Sequence, residues 1–565
     1  MNRPASDLSS RASRGAAQTA GGLWLKTLIQ LASTMVLARL LDQSDFGLVA
    51  MIMAIVGVAD LVRDFGLTGA ILQSRDLTSR QWSGLLWFST LLGTVLMIGV
   101  AAAAPLIAAL YGEERLVVLT IAIAPTLLVN GLAMPMQAAV QRRLQFGTLA
   151  MIDVVSMAVG VSLSIVAALL GWGVWSLVVL AGAGQVYRLV ALWIAARPHF
   201  GRPRIGRDIR PFVSTGGSIF GVQLLNYAAR NLDNVIIGQQ LGPAALGQYS
   251  RAYALFLLPQ QQLTAPLGRV ALPVLSRLQD DGERYRRYVR SALAVIGYLA
   301  LPAYAIAAAV AHPLMLVLLG PGWDAAADAF ALLSIAGVAQ AVGNVQGWMF
   351  ISLGRAHRQL VYYLVTRPLV IAAFFVGIWW AGMNGLALLY GISTAILLVP
   401  GFAVAIRGTF VRGWTDVAAP LVRPAIVALA VFAAAWTAAT LVGSWPALLQ
   451  VVTGAAAGAV VLAAAALIPA YRRDYAMMVD FVRRARKPAG GAADAASDSP
   501  VDGPATMLGA DEVSAGELQA IRRAESGVPA PEASMPGESL PGHDDDQAAI
   551  TAPEAMDRPR DGESR

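Results

Sequence analysis

From about residue 19 to residue 470 the chain alternates long apolar runs with short polar turns, at a spacing that suits membrane-spanning helices of about 20 residues each. The runs predict helices near 19–41, 46–66, 82–104, 116–138, 148–170 and 174–196. A second series follows near 212–236, 244–268, 291–318, 328–353, 360–381 and 385–406, with a final pair near 424–443 and 447–470. Two stretches, 368–406 and 424–471, are double length and carry no charge. Each has a turn signal near its middle, Gly382-Met383-Asn384-Gly385 and Gly443-Ser444-Trp445-Pro446, and so reads as a helical hairpin. The pattern predicts an all-α polytopic membrane protein of about 14 transmembrane helices.

Sliding the chain against itself by about two hundred residues reveals a repeat. Leu41-Asp42-Gln43-Ser44-Asp45-Phe46-Gly47 lies over Leu241-Gly242-Pro243-Ala244-Ala245-Leu246-Gly247. Ala104-Pro105-Leu106-Ile107 through Leu110-Tyr111-Gly112 lies over His312-Pro313-Leu314-Met315 through Leu318-Leu319-Gly320. The expected organisation is two pseudo-repeated six-helix halves, 19–196 and 212–406, joined by a basic linker, 197–211. An N-terminal segment, 1–18, precedes them; a terminal helix pair with a basic end, 407–487, and a tail, 488–565, follow. Repeat-built membrane proteins commonly bind substrate between their halves, which favours transport over catalysis.

Charge adds orientation. Charged residues are only 14% of the chain, well below the roughly 25% of soluble proteins. Arginines crowd alternate loops: Arg75 and Arg80; Arg142 and Arg143; Arg197 through Arg210; Arg277 through Arg287; Arg355 and Arg358; Arg407 and Arg412; Arg472 through Lys487. The intervening loops are nearly bare, with Arg115 beside Glu113 and Glu114 the exception. Cytoplasmic loops retain positive charge, so both termini are expected in the cytoplasm. The tail beyond Pro488 is acidic, lacks aromatic residues and is expected to be disordered. The basic body therefore reflects topology and contact with anionic membrane lipids, and nucleic acid is not an expected partner.

Enzymatic chemistry has little to stand on. Phosphate-loop, dinucleotide and HExxH motifs are missing, the four histidines are scattered, and there is no cysteine. No cofactor or metal is expected. The informative residues are charges that fall inside the predicted spans, because such groups are costly there and tend to face polar cavities. They are Lys26 and Arg39 in the first span, Asp60, Arg63 and Asp64 in the second, Arg230 and Asp233 in the seventh, and Arg251 in the eighth. The plainer reading of each is a structural ion pair or a side chain reaching for the interface. Asp153, near a helix start, reads as a cap or interface group. Gly454 and Gly458 read as helix packing, and Pro125, Pro259, Pro266 and Pro302 as kinks.

Several of these positions lie in longer familiar strings. Ala38-Arg39-Leu40-Leu41, Asp45 through Ala50, Asp64-Phe65-Gly66-Leu67, Arg230-Asn231-Leu232-Asp233-Asn234, Tyr249 through Tyr253 and Pro266-Leu267-Gly268-Arg269 closely resemble the Wzx-type polysaccharide flippases. The nearest branch is the WzxC-like exporters of the multidrug/oligosaccharidyl-lipid/polysaccharide superfamily. The resemblance implies a transporter of the bacterial inner membrane that moves undecaprenyl-pyrophosphate-linked oligosaccharide by alternating access. It makes Arg230, Arg251, Lys26, Arg39 and Arg63 candidates for a cationic substrate cavity, with Asp233, Asp60 and Asp64 as supporting or ion-coupling acids. A polysaccharide polymerase or chain-length protein is an implied companion. Two alternatives stand beside it: a multidrug or lipid II transporter on the same fold, and a non-transporting component of a polysaccharide assembly complex.

The missing cysteines make the topology directly testable. A single cysteine replacing Glu114 or Trp172 is expected to react with a membrane-impermeant maleimide on spheroplasts, and one replacing Arg202 or Arg277 only after permeabilisation. The reverse labelling would invert the assignment.

Overall fold

The computed structural model describes the backbone of residues 5–64, 67–74, 77–197, 210–472, 474–476 and 478. Side chains are described from Gly21 onward, except at 69, 70, 73, 210–226 and 228–230. The chain divides into two units, 1–493 and 494–565, and every described residue belongs to the first. The expected acidic tail and most of the basic linker lie outside the described residues.

Those residues form α-helices and no strand. The first eight helices are α1 (Ala5–Leu40), α2 (Gln43–Asp64), α3 (Leu67–Gln73), α4 (Ser79–Tyr111), α5 (Arg115–Ile123), α6 (Pro125–Arg142), α7 (Phe146–Leu169) and α8 (Trp175–Ala196). Then come α9 (Arg210–Pro259), α10 (Ala265–Arg277), α11 (Gly282–Ala309), α12 (Ala311–Leu318), α13 (Asp324–Ser352), α14 (Ala356–Ile406), α15 (Trp414–Leu441) and α16 (Ala447–Ala465). Among the described residues, 11 helical stretches are long and apolar enough to cross a membrane.

The two longest helices reverse direction. In α9 the break is Gly242, at φ +81°, a conformation that glycine adopts without steric cost, followed by Pro243 opening the next arm. The Tyr249 hydroxyl donates to Asp233 Oδ2 at 2.8 Å across 16 residues, a span of about 24 Å in a straight helix. In α14 the turn is at Ala381 and Gly382, and Tyr362 donates to the Leu397 carbonyl at 2.7 Å, 35 residues on. The second reversal falls at its predicted turn signal, and the first in the gap between the runs predicted at 212–236 and 244–268.

Other boundaries differ from the expectation. The run predicted at 116–138 is divided into α5 and α6 at Pro125, whose ring nitrogen cannot donate to the preceding turn. The run predicted at 291–318 is two helices, α11 and α12. The polar residues from Ala5 continue into α1, and the short α3 was not expected. Pro259 and Pro266 flank a five-residue π-helical turn, Gln260–Thr264.

Small residues bring the helices together, as is usual where lipid removes the hydrophobic drive between helices. Ser156 and Gly160 of α7 cross Leu180 and Gly184 of α8, and Gly93 of α4 meets Leu127 and Gly131 of α6. Ser89 Oγ donates to the Gly131 carbonyl at 2.5 Å at that crossing. Gly454 of α16 seats Val310, and Gly458 seats Ile306 of α11, so both serve packing as expected. The terminal pair is anchored to α11: Pro424 lies on Gly297, and the Phe410 ring fills the space beside Gly282. Buried Asp416 accepts from Arg290 and from the Arg412 amide, each at 2.7 Å.

Gly377 and Gly385 face each other across the α14 turn, where an added Cβ on either would strike the other's backbone. Gly385→Val is expected to destabilise the protein by about 1–3 kcal/mol through overpacking, read as an earlier thermal transition in detergent. An unchanged transition would mean the two arms are free to separate.

Candidate functional site

Helices α1–α8 pack among themselves, as do α9–α14, and the two groups meet where α2 lies along α9. At one end of this seam the backbones touch reciprocally. A Cβ on Gly47 would strike the Pro243 carbonyl, and one on Gly247 would strike the Gln43 carbonyl. Residues 43 and 47 are the repeat partners of 243 and 247, so the contact has the exchange pattern of a two-fold interface.

Polar bonds close the same end. Arg39 extends from the last turn of α1 to the end of α12, donating to the carbonyls of Val317 at 2.6 Å and Leu318 at 3.4 Å. It thus caps carbonyls that helix α12 leaves unsatisfied. Trp323 Nε1 donates to the Ala38 carbonyl at 3.3 Å. Gln43 donates to the Gly322 carbonyl and accepts from Gln248 at 2.8 Å, while Gln248 accepts from the Ala326 amide at 2.8 Å. A cavity of about 700 Å³ opens beside this clasp, between Arg39, Asp42 and Ser44 on one side and Ala244 and Pro321 on the other.

Behind the clasp, Arg251 of α9 holds its guanidinium 4.9 Å from the centre of the Phe46 ring, and Trp323 meets the same ring edge-on at 5.7 Å. Arg251 Nε is sealed from solvent without an acceptor, and among the described residues no carboxylate stands within ion-pair reach of it. A guanidinium beside an aromatic ring, with no described carboxylate in reach, keeps most of its charge unanswered, because a cation–π contact offsets just part of its desolvation.

The other expected residues divide sharply. Arg39 belongs to the clasp. Asp60 and Arg63 stand 3.2 Å apart as an ion pair on α2, without hydrogen-bond alignment. Asp64 accepts from the Thr68 hydroxyl at 2.7 Å. Lys26 is exposed on α1, next to Thr27, which accepts from Gln262 of the π-turn at 3.2 Å. Asp233 is buried and bound by Tyr249 and the Asn234 amide, with no cation among the described side chains. The Arg230 side chain lies outside the described residues. The reading of Asp153 as a cap is corrected: it sits two turns inside α7 and pairs with Arg188 at 2.9 Å, while Arg188 also reaches Gln137 at 3.0 Å.

Sequence reasoning missed Arg188, hidden by the apolar residues around it, and missed Gln43, Gln248 and Trp323 because neutral polar groups near helix ends carry no alarm. It also missed the chain in which Gln260 of the π-turn donates to Gln340 at 3.0 Å and Gln340 to the Tyr390 hydroxyl at 2.7 Å. The run Gln260-Gln261-Gln262 inside an apolar stretch was its signal. Arg115, the exception on the bare side, binds Glu113 at 2.7 Å and holds that loop carboxyl below its ordinary range.

An all-helical membrane fold with a polar seam between two packed groups is a transporter-like frame, and its family is defined by sequence. Residues 36–328 match the family model described as polysaccharide biosynthesis protein, and the chain belongs to that family. It is 25% identical over 382 residues to the lipopolysaccharide biosynthesis protein WzxC of Escherichia coli (strain K12), covering 66% of this chain and 76% of that one. It is 24% identical over 383 residues to the teichuronic acid biosynthesis protein TuaB of Bacillus subtilis (strain 168), covering 67% and 76%. The fold is similar to that of the lipid II flippase MurJ in its inward closed conformation, with a TM-score of 0.61 and 11% identity over 78% of this chain and 97% of that one.

The clasp yields a direct expectation. Ala252 is fully buried behind it, so a cysteine there should react slowly with a small soluble thiol reagent. Adding Arg39→Ala, which leaves two helix-end carbonyls unbonded, is expected to speed that reaction about fivefold or more, the equivalent of roughly 1 kcal/mol of lost closure. An unchanged rate would show that Arg39 does not hold the end shut.

Proposed function

We propose that this protein is a flippase that carries undecaprenyl-pyrophosphate-linked oligosaccharide repeat units across the bacterial inner membrane. In this reading α9 and α14 each cross twice, giving fourteen crossings in two six-helix halves and a terminal pair, with both termini cytoplasmic. The clasped end then faces outward, and substrate enters from the arginine-rich side. The protein does no covalent chemistry.

The observation that carries the proposal is Arg251: an arginine beneath the closed seam of a transporter-like fold, with an aromatic ring for company and no acid among the described residues. A pyrophosphate is a concentrated negative charge that must pass a low-dielectric layer. Arginine binds it through paired N–H bonds and does not deprotonate. The charges that have partners, Arg63 and Arg188, are already neutralised by Asp60 and Asp153. Arg251 and exposed Lys26 are left to meet the head group, and Arg230 joins them as a candidate. Asp233, buried with no cation among the described side chains, is the acid best placed for ion coupling, while Asp60 and Asp64 steady α2.

Alternating access follows from the seam. With the clasp shut, the head group enters between the halves while its lipid stays in the membrane. Its anion must bind the open and closed arrangements differently if it is to shift their balance. Arg251 supplies that difference, because an incoming phosphate competes with Phe46 for its guanidinium. The relatives' names, for lipopolysaccharide and teichuronic acid biosynthesis, and the flippase neighbour support this class of cargo. A drug-cation exporter on the same fold would call for a free acid at that place.

Depletion of the protein is expected to strand lipid-linked repeat units on the cytoplasmic leaflet and to reduce surface polymer. Arg251→Ala, inserted at normal level, is expected to cut export about tenfold or more, with Arg251→Lys retaining part of it, since loss of a charged hydrogen-bonding partner costs roughly 1.5–3 kcal/mol. Full export by the alanine variant would return Arg251 to a structural role; polymer unaffected by depletion would overturn the flippase.

A further inference from the structure

Another arginine lies at membrane depth. Arg367 falls inside the run predicted at 360–381, near the midpoint of the first arm of α14, which runs from Ala356 to the reversal at Ala381 and Gly382. A charge so placed in a spanning helix is costly and tends to face protein or a polar cavity. Arg367 does face protein. At 3.6 residues per turn it shares a helical face with Tyr363, Phe374 and Ile378, the last two buried, while Val361, Leu364, Val365 and Leu369 turn outward and are exposed. Arg367 is nevertheless only half-buried, so the packing leaves room beside it.

No acid answers this charge. Among the described residues no carboxylate stands within ion-pair reach of Arg367. The acids inside the predicted spans are bonded elsewhere: Asp60 to Arg63, Asp64 to Thr68, Asp153 to Arg188, Asp233 to Tyr249 and Asp328 to His312. Arg367 has a ring instead. Its guanidinium lies 5.1 Å from the centre of the Tyr363 ring, one turn back along α14, and Gln359, a turn further, donates to the Tyr363 hydroxyl at 3.3 Å. Arg251 is held in the same way, 4.9 Å from the Phe46 ring. An aromatic face keeps a guanidinium in place, offsets part of its desolvation, and leaves its N–H donors for an acceptor of another kind.

The two arginines stand at different depths. Gly382 lies against Leu241, so the reversals of α9 and α14 are side by side at the clasped end. Arg251 comes about two turns after the one and Arg367 about four turns before the other, which puts Arg367 about 10 Å nearer the arginine-rich side. An anion entering from that side meets Arg367 first.

We infer that Arg367 is a loading site for the substrate's pyrophosphate, which it takes from the arginine-rich side before the anion reaches Arg251 beneath the clasp. The inference rests on the flippase reading and adds a second station to it. It gives the two arginines different tasks: Arg367 captures the anion, and Arg251 couples it to opening.

Because the chain has no cysteine, the charge can be removed and put back. The full chain carrying Arg367→Cys is reconstituted in phosphatidylethanolamine and phosphatidylglycerol vesicles, and translocation of undecaprenyl-pyrophosphate-linked oligosaccharide is followed against its concentration. The half-saturating concentration is expected to rise about tenfold or more, with the maximal rate within about twofold, since a charged hydrogen-bonding partner is lost at capture only. Arg367→Gln, which keeps a long polar side chain, is expected to show the same rise. Aminoethyl methanethiosulfonate, which rebuilds a cation on the new thiol, should restore most of the affinity, and the neutral methyl reagent should not. Undecaprenyl pyrophosphate should slow the aminoethyl reaction about fivefold or more, whereas undecaprenol, which has the chain without the charge, should leave it unchanged. An unchanged half-saturation, equal rescue by both reagents, or a thiol that reacts from neither side of the membrane would overturn the loading site. An unsubstituted protein that moves no oligosaccharide removes the flippase, and protection of the thiol then still decides the site. Transport by the unsubstituted protein with no change in the variants removes the site alone.

Discussion

Two glycines, Gly47 and Gly247, let the backbones of two helix-turn elements touch where side chains would hold them apart. That contact sets helix ends of the two groups side by side, where the backbone carbonyls that helices leave unbonded create a demand for donors. Arg39, Gln43, Gln248 and Trp323 answer it, each donating across the seam to a backbone or side-chain oxygen of the other group. The closure is therefore made of a few directed bonds over a small backbone contact. Such a seam opens at a modest energy cost once its donors find other partners, whereas an apolar core of the same area resists separation. The 700 Å³ cavity beside it gives water a way to reach those donors.

The charged residues fall into order once their partners are known. Arg188 has Asp153, Arg290 has Asp416, Arg63 has Asp60, and Arg39 has two carbonyls. Paired charges inside a membrane hold helices in register and have little attraction left for a ligand. Arg251 differs because its neighbour is the Phe46 ring. The same ring takes part in the edge-on contact with Trp323, and Trp323 bonds to Ala38. This cation, with no carboxylate partner among the described residues, thus touches the clasp itself, and a ligand that draws Arg251 away removes one of the supports on which the closed end rests.

Most of the helices were legible because an apolar run of about 20 residues has few other uses. The hairpin turns at Gly242 and Gly382 were legible from their glycines and neighbours, and the two-hundred-residue offset of the repeat reappears in the exchange of contacts between 43, 47, 243 and 247. The family resemblance, carried by strings such as Arg39-Leu40-Leu41 and Tyr249 to Tyr253, agrees with the match over 36–328. Pairing was not legible. Asp153 and Arg188 are 35 residues apart, and nothing local ties them. Arg39 looked like a cavity group because its carbonyl partners lie 278 and 279 residues away. Sequence marks which charges are costly, and only the packing reveals which have been answered.

The central claim is that lipid-linked oligosaccharide crosses between the two helix groups and that the clasped end must part for it to leave. Gln43 and Gln248 touch across that end and the chain has no cysteine of its own, so a cysteine pair at 43 and 248 can be joined by a short reducible crosslinker. The decisive measurement is translocation of undecaprenyl-pyrophosphate-linked oligosaccharide in proteoliposomes before crosslinking, after it, and after reduction. The account predicts that transport stops with the link in place and returns when it is cut. Transport that continues through a fully crosslinked protein would contradict it.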